Sequence, residues 1–252
     1  MQGGPQNLLE LSKNTASAAL EKLAELDEND IKSYSFDTDI PREIKAKADT
    51  VIEKIILDQL VPTGVDILSE ETGVLAGDNG SSLRFIIDPI DGTVNFVRGI
   101  ADCSICIALF EGNKALFGVI ASYPSKNIAW GGNGLGAFSG DSELQVSVIG
   151  DPKKGVLCTG FSSRFEYTEK TFSLQNKLMT KFGKVRMLGS ASQSLLQVAK
   201  GNVECYSEQN IMLWDVAAGI AIVEGAGGRV HVINSNGSDE SLNVTVDNGF
   251  ID

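Results

Sequence analysis

Hydrophobic and polar positions follow two different periods along this chain, and together they predict a mixture of helices and strands. Apolar residues recur at intervals of three and four over 7–28 and again over 48–60, with charged residues on the opposite side, which predicts two amphipathic helices. Residues 29–42 between them are polar and contain Pro41, which predicts a loop or an edge hairpin. The amino-terminal part therefore begins as two helices joined by an irregular segment.

Short apolar runs bounded by glycine, asparagine or proline predict strands in the next part of the chain. Residues 65–73 are interpreted as a strand that ends in paired glutamates, and residues 76–82 as a loop of glycine, asparagine and serine. Residues 102–124 predict two strands joined by a turn at 111–114, and residues 129–138 predict a further hairpin. Consecutive strands therefore dominate this part.

Composition changes between residues 140 and 152, and we place a boundary there between an amino-terminal α+β half, residues 1–145, and a carboxy-terminal α/β half, residues 146–252. The second half alternates strands with helices; the predicted strands cover 155–160, 185–192 and 203–208, and the predicted helices cover 168–181, 193–200 and a segment that starts at Trp214. In the first of these helices, Phe172, Leu174 and Leu178 are predicted to face the core. Pattern alone thus predicts a mixed α/β protein.

Residues 85–99 change abruptly from a buried strand to a polar turn. Asp88 and Asp91 lie three residues apart at the strand end, and between them is Pro89, which cannot donate to a strand ladder. Two carboxylates held near each other repel unless a cation lies between them, and hard oxygen ligands of this kind suit Mg²⁺. The alternative is a capped turn in which both carboxylates accept hydrogen bonds from backbone N–H groups.

Two predicted helix starts have backbone N–H groups that favour an anion. The first follows Gly92 at Thr93, and the second comprises Gly189, Ser190 and Ala191. The second also suits a sugar-like hydroxyl, with a simple serine N-cap as the alternative. Both helix starts are therefore candidates for substrate contacts.

The chain has 252 residues, of which 42% are hydrophobic and 21% charged, so it is long enough to bury a sizeable core in one or two domains. Its 33 acidic and 21 basic residues give a net charge of −12, which argues against broad nucleic-acid binding or docking on anionic lipid. The same charge would repel a phosphate ester, and bound divalent ions would remove that repulsion by inverting the local charge.

The cysteines and the histidine favour structural roles. Cys103 and Cys106 are three residues apart in a predicted strand, where their side chains face opposite sides and cannot share a ligand. We interpret them as buried free thiols in a reducing cytosol. His231 is the only histidine and has no partner histidine, so we interpret it as structural. Neither a signal peptide nor an apolar run long enough to cross a bilayer is evident, and a cytoplasmic location is expected.

Four segments resemble one family. Asp88–Phe96, which reads Asp-Pro-Ile-Asp-Gly-Thr-Val-Asn-Phe, resembles a signature of the inositol monophosphatase superfamily of metal-dependent, lithium-sensitive phosphatases. Trp214–Gly219 followed by Glu224–Gly228 resembles the second signature of that family. Ala48–Glu53 and Ser69–Glu71 are similar to two shorter family patterns. Together these segments span most of the chain.

Three places depart from the family pattern. One is Gly225, in Glu224–Gly228, where family members normally have Glu-Ala-Gly-Gly. Lys45–Lys47 stand where the family usually has a threonine shortly before the aspartate that corresponds to Asp49, and Ser69 replaces the first residue of the usual Gly-Glu-Glu. By this resemblance Glu70 is a metal ligand, while Glu71 is a weaker candidate.

The resemblance implies a fold and a cofactor. The implied fold is the five-layer αβαβα sandwich, of the α+β or α/β class, and the implied assembly is a homodimer. The implied cofactor is Mg²⁺, about two or three ions per site, and lithium sensitivity is implied with it. The implied ligands are Glu70, Asp88, Asp91, Asp215 and the carbonyl of Ile90.

The resemblance also implies roles in the hydrolysis of a phosphate monoester. Thr93, paired with Asp49, would orient and deprotonate the attacking water together with Glu70. The implied contacts to phosphate oxygens or substrate hydroxyls come from Asp91, Gly92, Thr93, Gly189, Ser190, Ala191, Glu208 and Asp215.

Substrate preference depends on few residues. Glu208 stands where inositol monophosphatases bind substrate hydroxyls, and Val94-Asn95 stands where related phosphatases of 3′-phosphoadenosine nucleotides tend to have Lys-Glu. Both favour a small polyol or sugar phosphate, with inositol monophosphate first. The alternatives are 3′(2′),5′-bisphosphate nucleotidase, histidinol-phosphatase and fructose-1,6-bisphosphatase activity. A non-enzyme alternative is a metal-dependent regulatory partner of RNA or a polymerase, against which the acidic balance argues.

Overall fold

Two helices form the first layer of the fold. The computed structural model describes residues 4–26, 33–36, 44–235 and 240–251. Helix α1 covers Pro5–Glu25 and helix α2 covers Lys47–Leu60, which confirms both predicted amphipathic helices. The predicted loop over 29–42 lies mostly outside the described residues. Strand β1, Tyr34–Phe36, pairs antiparallel with β2, Ile44–Ala46, in agreement with an edge hairpin.

The second layer is a large, mostly antiparallel sheet. Its strands are β3 Asp66–Ser69, β4 Gly73–Leu75, β5 Leu83–Asp91, β6 Cys103–Glu111, β7 Lys114–Tyr123, β8 Ile128–Gly132, β9 Gly136–Ser139 and β10 Ser142–Glu143. Their order is β10-β9-β8-β7-β6-β5-β3-β4, and β3 pairs parallel with β5. Both predicted hairpins are confirmed. Strand β3 ends at Ser69, so Glu70 and Glu71 lie in the following turn rather than in the strand.

The second half of the chain builds a smaller mixed sheet. Its strands are β11 Val156–Thr159, β12 Lys184–Arg186, β13 Cys205–Met212, β14 Arg229–Asn234 and β15 Ser241–Asp247, in the order β12-β11-β13-β15-β14. The remaining helices are α3 Thr93–Arg98, α4 Glu169–Met179, α5 Ala191–Ala199 and α6 Leu213–Gly225. Short 3-10 turns cover Val61–Thr63 and Pro152–Lys154.

Helices α5 and α6 lie between the two sheets, and α4 contacts the other face of the smaller sheet through Gln175. Cys158 of β11 faces the middle helices, whereas its neighbour Thr159 faces α4 and accepts a hydrogen bond from Gln175 at 2.6 Å. The layers therefore alternate helix, sheet, helix, sheet and helix, which confirms the predicted five-layer sandwich. The division between residues 145 and 146 stays a prediction.

Strand β6 shows how one sheet serves two cores. Cys103 and Ile105 pack against α1 and α2, whereas Cys106 and Ala108 pack against α5 and α6. This alternation follows from the two-residue period of a strand, and it confirms that Cys103 and Cys106 face opposite sides. Both thiols are buried and unbridged.

Small residues let α6 approach the large sheet closely. A Cβ atom on Gly118 of β7 would lie 2.1 Å from the carbonyl oxygen of Ala218. A Cβ atom on Gly219 would lie 2.5 Å from Leu195 of α5. The glycines therefore set the spacing of the middle layer, which brings the start of α6 toward the end of β5.

Two predictions of local structure are wrong. Phe172 and Leu174 of α4 are 42% and 47% exposed, and the buried residue of that helix is Gln175. Phe172 instead joins an aromatic cluster with Phe161, so helical periodicity alone misassigned the buried face. The strand predicted over 185–192 ends at Arg186, because the chain leaves the sheet and enters α5.

The length and the apolar character of the helices decide whether one of them could span a membrane. Within the described ranges, no helix is both long and apolar enough to cross a bilayer.

Candidate metal centre and adjoining cavity

Three carboxylates converge where β5 ends and α6 begins. Ligand atoms of Asp88, Asp91 and Asp215 all lie within 4.8 Å of one another. Asp88 and Asp91 come from the irregular end of β5, where the register with β6 shifts between them. Asp215 comes from the first turn of α6, more than a hundred residues later. The fold thus assembles the acidic cluster that the sequence only suggested.

Asp88 leaves one oxygen without a hydrogen-bond donor. Its Oδ1 accepts the backbone N–H of Ile90 at 3.0 Å. Its buried Oδ2 has no hydrogen-bond partner among the described residues. A buried polar atom without a partner is costly, and a carboxylate oxygen aimed into an acidic cluster is well suited to a divalent cation.

The electrostatics of the cluster also require compensation. Burial raises the pKa of Asp88 well above its ordinary value, and the charges of Glu70 and Asp91 raise it further. Burial, followed by the charge of Asp91, likewise raises the pKa of Asp215. Carboxylates crowded in this way hold protons unless a cation replaces them. The donor set, all oxygen and mostly anionic, fits Mg²⁺ rather than a soft metal.

Asp49 and Asp215 are held by the same backbone geometry. Each is the third residue of its helix, and each accepts the N–H of the residue before the helix, Ala46 or Met212, at 3.1 Å. Neither aspartate is the N-cap residue itself; those residues are Ala46 and Met212. This back-bond fixes Oδ2 and leaves Oδ1 of each carboxylate for other contacts.

Glu70 lies close to the cluster, but outside the group of three. Burial, followed by the charges of Asp215 and Asp49, raises its pKa well above the ordinary value. Its backbone N–H donates to the carbonyl of Ile87 at 3.2 Å, which ties the turn to β5. Glu71 faces Asp49, since its charge contributes to raising the pKa of that residue.

The turn that carries Glu70 is held by a buried glutamate of α2. Glu53 accepts hydrogen bonds from Ser69 Oγ at 2.5 Å, from Thr72 N at 3.0 Å and from Thr72 Oγ1 at 2.7 Å. Ser69, the departure from the family's glycine, therefore supplies a bond that glycine lacks. The sequence identified Glu53 only as the last residue of the Ala48–Glu53 pattern and gave it no role, although its position one helical turn after Asp49 placed both on one face.

Thr93 lies between two acceptors. Its hydroxyl is 3.0 Å from the carbonyl oxygen of Ile90 and 3.4 Å from Asp49 Oδ1. Burial, followed by the charge of Glu71, raises the pKa of Asp49 to about 7. Gly92, with φ at +86°, makes the turn that brings Thr93 to the start of α3. The structure therefore brings the predicted Thr93–Asp49 pair together.

The start of α5 is occupied by a carboxylate of the protein itself. Asp91 accepts hydrogen bonds from Ser190 Oγ at 2.5 Å, from Ala191 N at 3.2 Å and from Ser192 N at 2.7 Å. Ser190 is also the N-cap, accepting Gln193 N at 3.2 Å. The N–H groups predicted to face an anion therefore face Asp91. Burial raises the pKa of Asp91, and the hydrogen bonds from Ser190 and Ser192 oppose that effect.

A polar cavity of about 170 Å³ adjoins Asp91. It is lined by several residues predicted to contact substrate, namely Asp91, Gly189, Ser190, Ala191 and Glu208. Gly92, Thr93 and Asp215 lie outside its lining. A larger cavity, about 790 Å³, is lined by parts of α1 and of the loops after α2 and carries no titratable side chain. We therefore assign the smaller cavity to the site.

Glu208 is a buried acid with an internal donor. Tyr206 Oη donates to Glu208 Oε2 at 3.1 Å, and burial raises the pKa of Glu208 to about 7. A Cβ atom on Gly160 would lie 2.6 Å from the same oxygen, so glycine is needed there. Strand β13 is irregular just after Glu208, where Asn210 has φ at +54°.

Several lining residues were not found from sequence. They are Thr159, Gly160, Phe161, Ser162, Ser194 and Ile211. The glycine that ends the β11 segment was the available signal, because a glycine after a strand indicates a close approach. The others carry no local pattern and come together only through the fold.

A sequence model described as the inositol monophosphatase family matches residues 5–249. The chain belongs to the inositol monophosphatase family. This confirms the resemblance stated from the two signatures and the two shorter patterns.

The relatives of this family member carry several names. A Thermococcus kodakarensis protein named fructose-1,6-bisphosphatase/inositol-1-monophosphatase is 31% identical over 226 residues, 89% of this chain and 83% of the relative. A Pasteurella multocida protein named Nus factor SuhB is 33% identical over 218 residues, 82% of this chain and 80% of the relative.

Solved structures agree with the fold of this inositol monophosphatase family member. The extragenic suppressor protein suhB of Bartonella henselae has a TM-score of 0.84 at 28% identity, covering 97% of this chain and 95% of that protein. Inositol monophosphatase from Anabaena has a TM-score of 0.81 at 28% identity, covering 97% and 92%. The family is metal-dependent, and its members act on phosphorylated sugars or polyols. The chain is therefore supported as a phosphatase.

Proposed function

We propose that this protein is a Mg²⁺-dependent phosphatase that hydrolyses a small polyol or sugar phosphate monoester, with inositol monophosphate as the first candidate. The observation that carries the proposal is the group of two buried aspartates, Asp88 and Asp91, and the half-buried Asp215, whose ligand atoms lie within 4.8 Å of one another beside a polar cavity. An uncharged ligand would leave the repulsion among the three carboxylates uncompensated. Divalent ions would relieve that repulsion and attract a phosphate ester.

We assign the ligand set to the three aspartates together with Glu70 and the carbonyl of Ile90. Divalent ions bound there would polarise the ester, lower the pKa of water and neutralise charge on the phosphate. The chain itself supplies positioning, which phosphoryl transfer chiefly needs.

Thr93 and Asp49 are proposed to hold the nucleophilic water and take its proton. The Thr93 hydroxyl is anchored by the carbonyl of Ile90 at 3.0 Å and faces Asp49 Oδ1 at 3.4 Å. An acid with a pKa of about 7 suits a general base near neutral pH. The N–H groups of Gly92 and Thr93, at the start of α3, would bind phosphate oxygens.

The polyol part of the substrate is assigned to the cavity that Glu208 lines. Tyr206 donates a hydrogen bond to Oε2 of Glu208, which leaves Oε1 of Glu208 free to accept a substrate hydroxyl. Gly189, Ser190 and Ala191 complete the same wall. A cavity of about 170 Å³ suits one small sugar or cyclitol ring better than a nucleotide.

Phosphate release tests the proposal. Inositol 1-phosphate, sugar phosphates, histidinol phosphate, fructose 1,6-bisphosphate and adenosine 3′,5′-bisphosphate are assayed with Mg²⁺ and with Mg²⁺ plus Li⁺. We expect hydrolysis of the polyol or sugar monoesters, inhibition by Li⁺, and loss of turnover in Asp88→Asn. The matched control is Asp58→Asn, an exposed carboxylate paired with Lys54 on α2. Turnover that persists in Asp88→Asn would contradict the assignment.

A second candidate function is a regulatory binding protein. It is favoured by the relative named Nus factor SuhB, which is 33% identical to this chain. The net charge of −12 argues against contact with nucleic acid. A salt-dependent RNA-binding measurement, run beside the phosphatase assay, distinguishes the two functions. We further propose a homodimer and a cytoplasmic location, which size-exclusion chromatography with light scattering and cell fractionation would test.

A further inference from the structure

Asp91 has two carboxylate oxygens in different surroundings. Oδ2 accepts the hydroxyl of Ser190 at 2.5 Å and the backbone N–H of Ser192 at 2.7 Å, and it also accepts the hydroxyl of Ser192. Oδ1 accepts the N–H of Ala191 at 3.2 Å. Three donors therefore converge on Oδ2 and one on Oδ1, so Oδ1 keeps acceptor capacity for a cation.

Ser192 is the second residue of α5, so the residue four positions earlier, Leu188, lies before the helix, and its carbonyl accepts a hydrogen bond from Asn95. Buried serines that do have a carbonyl four residues earlier can bond it. Ser12 of α1 does so with Leu8 at 2.8 Å, and Ser194 of α5 does so with Ser190 at 2.7 Å. Ser192 donates instead to Asp91, a residue one hundred and one positions away. Its hydroxyl therefore serves the carboxylate rather than the helix.

A second serine fixes the direction of that hydroxyl. Ser104 Oγ lies 2.5 Å from Ser192 Oγ. As a metal ligand Asp91 would be ionised and could only accept, and Ser192 has one hydroxyl proton, so in that state Ser104 is the donor to Ser192. The proton order runs from Ser104 to Ser192 to Asp91, and each bond in such a chain polarises the next.

The pair also joins the two parts of the chain. Ser104 lies on β6 of the large sheet, Ser192 lies in the first turn of α5, and both are 0% exposed. Water therefore cannot replace either hydroxyl without a rearrangement of the middle layer. Ser104 also lies opposite Asp91 in the register of β5 with β6, so Asp91 is held by α5 next to the strand that pairs with its own.

We propose that Ser192 and, through it, Ser104 are positioning residues that hold Asp91 Oδ2 and so present Oδ1 alone to the divalent ion. This inference rests on the proposed function, since it assigns a task to residues around a proposed ligand. Partners that orient a metal ligand typically change affinity about 10–100-fold when removed.

The test measures metal affinity directly. Metal-free protein is titrated with Mg²⁺ in a calorimeter, for wild type, Ser192→Ala, Ser104→Ala, the double variant and Ser12→Ala. We expect Mg²⁺ affinity to fall about tenfold in Ser192→Ala, and less in Ser104→Ala, because Ser104 acts only through Ser192. The double variant should match Ser192→Ala. Ser12→Ala, which removes an equally buried hydroxyl far from the site, should bind Mg²⁺ as wild type does.

Steady-state kinetics give a second measurement. Saturating Mg²⁺ should return kcat of Ser192→Ala to near the wild-type value, a rescue that a merely structural defect would not show. A Mg²⁺ affinity of Ser192→Ala within twofold of that of Ser12→Ala would overturn the inference. Additive losses of Mg²⁺ affinity in the double variant would show that Ser104 does not act through Ser192. If Ser192→Ala does not fold, Ser104→Ala alone decides, and wild-type affinity there overturns the inference. Wild-type protein that binds no Mg²⁺ would instead refute the proposed function.

Discussion

Helices α2 and α6 begin in the same way, with an aspartate at the third position that accepts the N–H of the residue before the helix. The two bonds, Asp49 to Ala46 and Asp215 to Met212, have the same length of 3.1 Å. The surroundings differ. Asp215 lies with Asp88 and Asp91 in the acidic group, whereas Asp49 faces the hydroxyl of Thr93.

The difference shows that the backbone fixes where a carboxylate points, and its neighbours decide what it can do. A carboxylate among other carboxylates needs a cation, because protons or ions must relieve the repulsion. A carboxylate beside a hydroxyl, with a pKa raised to about 7 by burial and by Glu71, can exchange a proton. We therefore propose that Asp215, at the start of α6, binds metal and that Asp49, at the start of α2, transfers a proton.

Asp215→Asn gives the largest expected effect and tests the metal side of this division. The amide oxygen of asparagine can keep the bond to Met212, so the start of α6 should survive. We expect kcat to fall more than about 100-fold, beyond the loss typical of outer partners of a ligand, and Mg²⁺ affinity to weaken. Phosphate release and calorimetry measure the two quantities, with Asp58→Asn as the control for lost surface charge. Activity within about tenfold of wild type would contradict the role of Asp215.

Asp49→Asn should distinguish most clearly the proposed role of Asp49 from that of Asp215. Asparagine again keeps the backbone bond to Ala46, but it cannot take a proton. We expect kcat to fall about 100-fold, in the range of a positioned acid or base, while Mg²⁺ affinity stays close to the wild-type value. The same assays apply. A loss of Mg²⁺ affinity as large as that in Asp215→Asn would break the comparison, because both aspartates would then act as ligands.

The strand end that carries Asp88 and the helix that begins near Asp215 were predictable from local sequence signals, whereas the five-layer fold and the set of proposed ligands came from the resemblance to the family. The apolar run before Asp88 and the proline after it predicted a strand that ends in carboxylates, and the structure has both. The small residues after Asp215 predicted a helix that packs closely, and Ala218 indeed lies against Gly118. Such signals are short-range, so they survive without knowledge of the fold.

The supporting contacts were not predictable for the opposite reason. Ser104 and Ser192 are 88 positions apart, and neither stands in a pattern that indicates a partner. Glu53 was visible only as part of the Ala48–Glu53 family pattern, without the contacts by which it holds the turn of Glu70. Phe172 was predicted inward because helical periodicity cannot tell a core from an exposed aromatic cluster. These features depend on which elements the fold brings together.

Without divalent ions, the free energy of unfolding should fall as the pH rises. The slope of that fall measures how strongly the buried carboxylates depend on protons or cations. The pKa values of Asp49 and Glu208 are raised by burial from 3.8 and 4.5 to about 7, and those of Asp88 and Asp215 are raised as well. Between the unfolded and folded values the folded state holds more protons than the unfolded state. Stability in EDTA should therefore be greatest near pH 4–5 and be lost progressively through pH 7.

Thermal unfolding in EDTA and in Mg²⁺ measures this effect across that range. Each kcal/mol lost should lower Tm by about 2–4 °C for a chain of this size. Mg²⁺ should remove most of the fall, since it replaces the protons with a cation that binds only the folded state. Asp215→Asn should flatten the EDTA slope, because it removes a charge from the repelling group. A Tm in EDTA that stays constant or rises from pH 5 to pH 7 would show that the buried carboxylates are compensated by the protein itself.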